Sequence, residues 1–354
     1  MNPVLARELR VRMRGRQAWI LLSLYLVLLA AILFLVYQAE SGGAAGDPFS
    51  LPSPTRFASV GRAVFEWLVL FMLLLVLFLV PGFTSGAIAG ERERQTLVPL
   101  QVTLLRPWQI VVGKLTASFA FLALLVVAAA PFLGVAYLIG GVTTGAVLRG
   151  VAVVLFTGIV LAALTVCCSA LFRRVQIATV MAYAVVLALL VGTVLVWASA
   201  GIIDETRGSD DANPPAELLL LNPLFLAADV LLEEDVSTSG IGSPFDPLEE
   251  VLLRDRYGTG FQGEVFIEGD FRGDVGRPFP VPVDGGVGVD FGFGTDEVGR
   301  PIVGFDDVGN PIFAGDADER FPFWALSLTG LFVLAVVASL VAVRRLRTPA
   351  RVER

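Results

Sequence analysis

Residues 65–97 read FEWLVLFMLLLVLFLVPGFTSGAIAGERERQTL, a long apolar run that is followed by a cluster of alternating charges. The apolar part, Phe65–Ala89, exceeds the roughly 20 residues that an α-helix needs to cross the hydrocarbon core of a bilayer. Glu66 lies at its edge beside Trp67, where an interfacial anchor is expected. This stretch therefore predicts a transmembrane helix that ends in a charged segment at one membrane surface.

Five other segments are long and apolar enough to cross a bilayer, and none of them contains Asp, Glu, Lys or Arg. They are Ala18–Tyr37, Leu115–Leu138, Gly150–Phe172, Ile177–Ile203 and Phe323–Val343. The first follows five arginines, but its apolar run is too long for a signal peptide and no A-x-A-type cleavage sequence follows closely. We therefore expect an uncleaved anchor and six transmembrane helices, in agreement with a chain that is 55% hydrophobic.

Basic residues alternate with these spans along the chain. The N-terminus, the segment after the second span, the link after the fourth span and the C-terminus are rich in arginine, whereas the intervening segments hold few basic residues. Segments that remain in the cytoplasm are enriched in Lys and Arg. Six spans place every arginine-rich segment on one side, so we predict a multi-pass protein of the plasma (inner) membrane with both termini in the cytoplasm.

Residues 1–17 and 344–354 form the two basic ends of the chain. As a helix, residues 1–17 would place Leu5, Leu9 and Met13 on one stripe. Two interpretations stay open: an interfacial helix on the cytoplasmic leaflet, with its arginines near anionic headgroups, or a plain positively charged tail. Residues 344–354 are expected to form a basic cytoplasmic tail.

Acidic residues are concentrated between the fifth and the last span, because Gly201–Phe321 carries 26 of the 33 acidic residues and only 7 of the 26 basic ones. We assign 204–320 to an extracytoplasmic region and 321–343 to the last transmembrane helix. Short apolar stretches broken by proline predict interfacial or re-entrant helices within 213–257, since none is long enough to cross. Short β-type runs separated by Gly, Asp and Pro predict a small β-rich domain of hairpins at 258–315.

The fold class that follows is an all-α polytopic membrane protein with six transmembrane helices. Residues 18–203 hold helices one to five and include a cytoplasmic loop at 90–114. An N-terminal interfacial helix precedes the spans, and a small β-rich extracytoplasmic insertion lies before the last helix.

Pro81 interrupts the second span near its charged end. A proline removes a backbone donor and is expected to kink the helix. Glycines recur every four residues beyond it, and such a stripe lets another helix approach closely. The predicted packing glycines are Gly82, Gly86 and Gly90.

The sequence lacks the residue patterns of catalytic and metal sites. It contains no histidine, no P-loop sequence and no G-x-S-x-G sequence. Its two cysteines, Cys167 and Cys168, are adjacent in an apolar run, where a thiol behaves as a small buried hydrophobic group. We expect no enzyme activity, cofactor, metal site or nucleic-acid partner. For the acidic region, a solvated surface is favoured over Ca²⁺ binding, because no D-x-D-x-D-G loop occurs.

The apolar spans also lack the ionisable groups near the midplane that ion-coupled transporters use. Any transport by this chain must therefore be driven from outside it. ATP hydrolysis by a separate cytoplasmic subunit is the simplest source of energy.

The charged segment and the start of the third span resemble the ABC-2 type permease family, the membrane-spanning subunits of ABC exporters. In that family the second span runs into E-x-E-x-G-T-L, and a G-K pair opens the third span. The matching positions are Glu91, Glu93, Thr96, Leu97, Gly113 and Lys114, the only lysine of the chain. Asn222-Pro223-Leu224 is similar to an N-P-L sequence before the family's last span. Gln95 departs from the pattern, since glycine is usual there, as do Pro99 and residues 103–107.

The resemblance implies a docking site and partners. In such permeases the loop after the second span fits a cleft of the ATP-binding subunit, and nucleotide-driven closure of the ATPase pair tilts the attached helices. The coupling residues it implies are Glu91, Arg92, Glu93, Arg94, Thr96, Leu97, Pro107, Gly113 and Lys114. The implied partners are an ATP-binding cassette ATPase subunit, a second permease copy or paralogue, and membrane lipids.

Two other interpretations stay open. Taken alone, Glu91–Arg94 also fits a solvated helix end without a partner. The whole chain also fits a membrane-anchored assembly or sensor subunit whose external domain binds a ligand.

Overall fold

The computed structural model of the chain describes several separate ranges of residues. They are 16–42, 54–95, 107–206, 214–232, 243–245, 247–248, 251–252, 281–283, 286–288, 302–305, 311–313 and 322–347. The chain divides into two units, the first comprising Met1–Glu249 with Phe321–Arg354 and the second Glu250–Arg320. The predicted interfacial helix at 1–17 lies mostly outside the described residues and stays a prediction.

Nearly all of the described part of the first unit is helical. Its α-helices are α1 (Arg16–Gly42), α2 (Pro54–Thr84), α3 (Gly86–Glu93), α4 (Pro107–Ile139), α5 (Thr144–Leu171), α6 (Val175–Leu187), α7 (Thr193–Thr206), α8 (Pro223–Leu232) and α9 (Phe323–Arg347). A π-helical turn at Ala188–Gly192 joins α6 to α7, and a 3₁₀ turn at Ala216–Leu219 precedes α8.

Six stretches of the described residues are long and apolar enough to cross a membrane. They are Leu22–Ala39, Phe57–Glu93, Pro107–Ile139, Thr144–Leu171, Val175–Ile203 and Phe323–Leu346. The prediction of a helical, multi-pass membrane protein with six spans is confirmed.

The fourth span, α5, is the centre of the first unit. It packs against α2, α4, α6, α8 and α9, and 67% of its most apolar stretch is buried. Only 11% of the corresponding stretch of the first span is buried, and 17% of that of the fifth. Faces that expose Leu, Val and Phe in this way suit lipid tails or another apolar helix, since lipid is as apolar as leucine.

The helices extend beyond the apolar runs and include charged residues. Arg62 and Arg149 lie outside the apolar runs that predicted the spans, and the structure extends the helices over them, since they lie within α2 and α5. Arg62 Nε donates to Glu66 Oε1 over 2.8 Å, and both side chains are buried. The two side chains lie one turn apart on the same helix and pair there. Pairing lets both charges be buried in an apolar region where an unpaired charge is strongly disfavoured.

The turn between α4 and α5 is seated on the first third of α2. Gly140 and Gly141 have φ values of 112° and 73°, which favour glycine. A Cβ atom on Gly61 would collide with the carbonyl oxygen of Gly140, and one on Gly141 would collide with that of Ala58. Backbone therefore lies directly on backbone at this end of the bundle.

The segment that contains the N-P-L sequence ties the fifth span to the last. Asn222 Oδ1 accepts the Leu224 amide and so caps α8, while its Nδ2 donates to the Leu190 carbonyl in the π-helical turn; both distances are 3.0 Å. Asp229 of α8 is buried and accepts the Trp324 amide over 2.7 Å at the start of α9. The 3₁₀ turn at Ala216–Leu219 and α8 both fall within 213–257, where interfacial or re-entrant helices were predicted. Their depth in the membrane stays a prediction.

The described residues of the second unit include two antiparallel hairpins. β1 (Val281–Val283) pairs with β2 (Gly286–Gly288), and β3 (Ile302–Phe305) pairs with β4 (Pro311–Phe313) through an irregular register. A lone two-stranded hairpin is only marginally stable. These short strands do not establish the β-rich domain predicted at 258–315, which stays a prediction.

Substituting Gly61 tests the contact between α2 and the α4–α5 turn. Gly61→Ala should lower the free energy of unfolding by about 1–3 kcal/mol, because the new methyl group forces two backbones apart. The matched control is Gly134→Ala in α4, where a Cβ meets nothing within 4 Å. It should leave stability unchanged or raise it by up to about 1 kcal/mol. Thermal unfolding in detergent measures both, and equal stability of the two variants contradicts the packing described.

Candidate functional site

Four helix ends meet at one end of the bundle, which we call the α3 end. Buried side chains from α3, from the start of α4 and from the ends of α5 and α9 form one apolar cluster there. Its members are Ile88, Ile110, Val111, Val166, Ala170, Ala342 and Leu346. Arginines that follow the second, fourth and last spans border the same elements, so the structure gathers at one end three of the segments that the sequence placed on one side of the membrane.

The single lysine of the chain is buried at the α3 end. Lys114 is 1% exposed, and its Nζ donates to Glu91 Oε1 over 3.0 Å. Glu91 is partly exposed, with 21% of its side chain accessible. Gly113, the other half of the G-K pair, is buried in the same turn of α4. The two halves of the family pattern, far apart in sequence, thus contact each other through an ion pair.

Glu93, at the last position of α3, contacts the start of α6. Its Oε1 accepts the Val175 amide over 2.8 Å. The residue before Val175 is Arg174, which makes no side-chain cap. A carboxylate at a helix N-terminus satisfies a free N–H group and interacts favourably with the helix dipole. Glu93 therefore acts as the N-cap of a helix to which it does not belong.

Ser169 of α5 performs the converse role for α3. Its Oγ accepts the amides of Ile88 and Ala89, each over 2.9 Å, in fully buried surroundings. Ser85, which precedes α3, makes no side-chain cap, and its hydroxyl instead bonds to that of Thr179 over 2.8 Å. The start of α3 is therefore held by a hydroxyl from a transmembrane helix.

The predicted glycine stripe faces α6. Cβ atoms on Gly86 and Gly90 would lie 3.5 and 3.6 Å from the side chain of Val175. A Cβ on Gly82 would lie 3.1 Å from the hydroxyl of Tyr183, which donates to the Phe78 carbonyl over 3.0 Å.

That hydrogen bond lies three residues before Pro81, inside α2. A proline there removes a helical N–H and weakens the local ladder. Tyr183 thus supplies a donor close to Pro81, where the kink stays a prediction.

The remaining predicted coupling residues have different surroundings. Arg94 is exposed, and Arg92 lies close enough to Arg173 for the two charges to interact. Pro107 is the first residue of α4, a position that suits proline because its missing N–H is not needed. Thr96 and Leu97 lie outside the described residues.

Gln95 explains why glycine is usual at its position. Its φ is 55°, in the left-handed region, and its amide donates to the Arg92 carbonyl over 3.1 Å just after α3 ends. Helices commonly end on a glycine in this conformation. The chain therefore keeps the backbone turn while departing from the usual residue.

Sequence reasoning missed the hydroxyl-bearing residues that hold α3. A signal was present, since Thr165 and Ser169 lie four residues apart in α5, as do Thr179 and Tyr183 in α6. Residues four apart share a helix face. Thr165 also bonds to Thr84 at the end of α2, so these polar faces both contact the end of the second span that contains Pro81.

Residues 2–238 match the family described as ABC-2 family transporter protein. The match covers more than half of the chain, so the chain belongs to this family, and the resemblance found in the sequence is confirmed. A search of curated proteins gave no match. The chain is thus a membrane component of a transporter family that is not itself catalytic.

The ion pair at the α3 end is tested by a double-mutant cycle. Lys114→Met should lower the free energy of unfolding by about 1–3 kcal/mol, less than for a fully buried pair because Glu91 is partly exposed. Adding Glu91→Gln should restore most of the loss, since no unpaired charge remains. Thermal unfolding of both single variants and the double variant measures the coupling. If the stability losses of the two single variants simply add up in the double variant, the pair does not stabilise the fold.

The left-handed turn is tested at Gln95. Gln95→Gly should leave stability unchanged or raise it by up to about 1 kcal/mol, and Gln95→Val should lower it by about 1–2 kcal/mol, because a β-branched residue strongly disfavours positive φ. Urea unfolding of the purified protein compares the two with the parent chain. A loss of stability in Gln95→Gly contradicts the assigned conformation.

Proposed function

We propose that this chain is the membrane-spanning subunit of an ATP-driven exporter, and that a separate ATP-binding cassette ATPase docks on the segment 90–114. The carrying observation is the construction of the α3 end. The exposed Arg94 directly follows a short helix, α3, in which Ile88 and Ala89 are completely buried among transmembrane helices. Such an element transmits force from a partner to the bundle without bending.

The proposal places the α3 end in the cytoplasm of a cell, at the plasma membrane, with both termini on that side. Basic segments after the second and fourth spans and at the end of α9 support this orientation. The proposed contacts with the ATPase include the coupling residues that lie outside the described ranges, Thr96 and Leu97. Pro107, which is partly exposed at the start of α4, belongs to the docking surface, whereas the buried Gly113 and Lys114 support it from within the bundle through the ion pair with Glu91.

The chain has no visible energy source of its own. The middle of each span carries no Asp, Glu, Lys or Arg in sequence, and the buried Arg62–Glu66 pair lies toward the end of α2 that is remote from α3. Proton and ion coupling use ionisable groups deep in the membrane. An ATPase subunit therefore fits this chain better than an ion gradient.

We also propose that two permease subunits, identical or related, form the pathway. The gap between α2, α4 and α5, lined in part by Phe83, Phe121 and Gly158, offers about 10 Å³ to a water molecule, too little for a substrate. The first and fifth spans meanwhile present mostly unburied apolar faces. In a pathway between two copies, such faces line the interface together with membrane lipid.

Two structural features complete the proposal. Residues 1–17 form an interfacial helix on the cytoplasmic leaflet, and the acidic region 204–320 lies outside the cell with a β-rich part at 258–315.

A sensor or assembly subunit is the alternative function, and the separate unit Glu250–Arg320 favours it. Deleting Gly258–Gly315 discriminates between the two. A transporter with an accessory domain keeps its stimulation of the partner ATPase after the deletion. A sensor loses its response to ligand and has no such stimulation to keep.

Docking is tested by affinity capture of the tagged chain from native membranes in mild detergent. The parent chain should recover an ATP-binding cassette protein, and Arg94→Glu should weaken its recovery by about tenfold, since a reversed charge opposes its partner across an interface. Arg344→Glu, the same charge change on α9 at the α3 end, is the control and should recover it normally. Labelling of a cysteine at position 94 from the outer face, or recovery of no nucleotide-binding protein, rejects the proposal.

A further inference from the structure

α3 and the turn between α5 and α6 exchange helix caps. Ser169 of α5 caps the start of α3 by accepting two amides, and Glu93 of α3 caps the start of α6 by accepting the Val175 amide. Neither helix receives a side-chain cap from the residue that precedes it. Each of these helix starts therefore receives its side-chain cap from the other element.

Apolar and hydroxyl contacts follow the same line. The glycines of α3 rest on the Val175 side chain, and Ser85 bonds to Thr179 one turn further along α6. Val175 thus meets α3 through both its side chain and its backbone. Rotation of α3 away from α6 breaks the Glu93 cap and these contacts together.

We propose that Ser169 and Glu93 are positioning residues that join α3 and the α5–α6 turn into one mechanical unit, so that a movement of α3 is delivered to the fourth and fifth spans. This deepens the proposed function, on which its role in transport rests. Glu93 then acts inside the permease, through the hydrogen bond that it accepts from the Val175 amide, and not through a charge contact with the ATPase.

The distinction between these two roles of Glu93 sets the choice of variants. Glu93→Gln keeps an oxygen that accepts the Val175 amide but removes the charge, whereas Glu93→Ala removes both. Ser169→Ala removes the cap of α3. Its control is Ser118→Ala, because Ser118 is also a buried serine, but its hydroxyl donates to the Lys114 carbonyl of its own helix.

Hydrogen exchange of the permease alone gives a readout that needs no partner. Glu93→Ala should speed amide exchange at the start of α6 and also at Ile88 and Ala89 in α3. Ser169→Ala should speed exchange at the same two places. Each increase should be about fivefold to tenfold, the effect of losing a helix cap. Glu93→Gln and Ser118→Ala should stay within about twofold of the parent chain, since they keep both caps. If Ser169→Ala does not fold, the comparison of Glu93→Ala with Glu93→Gln, at an exposed residue, still tests the proposal.

ATP hydrolysis by the assembled transporter gives the second readout. Stimulation of the ATPase should fall severalfold in Glu93→Ala and be retained in Glu93→Gln, with ATPase binding unchanged in both. Faster exchange confined to the helix whose own cap was removed, or loss of stimulation in Glu93→Gln equal to that in Glu93→Ala, overturns the inference. If the parent chain binds no ATPase, the proposed function fails, and the exchange results alone decide whether the two elements form one unit.

Discussion

A bilayer interior offers no water to a backbone group that has lost its partner, and the described part of this chain is arranged around that constraint. At two irregular points of the spanning helices, a side chain from another segment supplies a hydrogen bond. Tyr183 donates to the Phe78 carbonyl beside Pro81, and Asn222 donates to the Leu190 carbonyl in the π-helical turn. Irregular backbone is therefore also where helices are fastened to one another.

The same constraint governs the charges. Arg62 with Glu66 and Lys114 with Glu91 are ion pairs at opposite ends of the second span, and each has a side chain that is almost fully buried. An isolated charge at these depths is strongly disfavoured, whereas a paired one is tolerated and holds its surroundings in one arrangement. The pair at the α3 end joins two helices, while the other pair lies within one helix. Only the pair at the α3 end would be broken if the two helices moved apart.

The sequence predicts the six spans because their number depends on apolar length, which requires no tertiary knowledge. It misjudges helix ends, as at Arg62 and Arg149, because hydropathy excludes a charged residue from a span unless its ion-pair partner or its depth in the membrane is known. Lys114 was identified as a site residue from a family pattern, but its contact with Glu91 is a property of packing. Ser169 was missed altogether, since a serine in an apolar run has many roles and only geometry shows which amides it accepts.

Gln95 brings these points together. A residue with a side chain in the left-handed conformation is strained by roughly 1–2 kcal/mol, and such strain persists only where the surroundings determine the backbone more strongly. Here α3 is fixed before it ends: Ser169 holds its first turn, Glu91 its middle and Glu93 its last residue. The direction of the chain at Gln95 is thus set by contacts with three transmembrane helices. A usual glycine is dispensable for that reason, because the membrane helices themselves fix the backbone direction at Gln95.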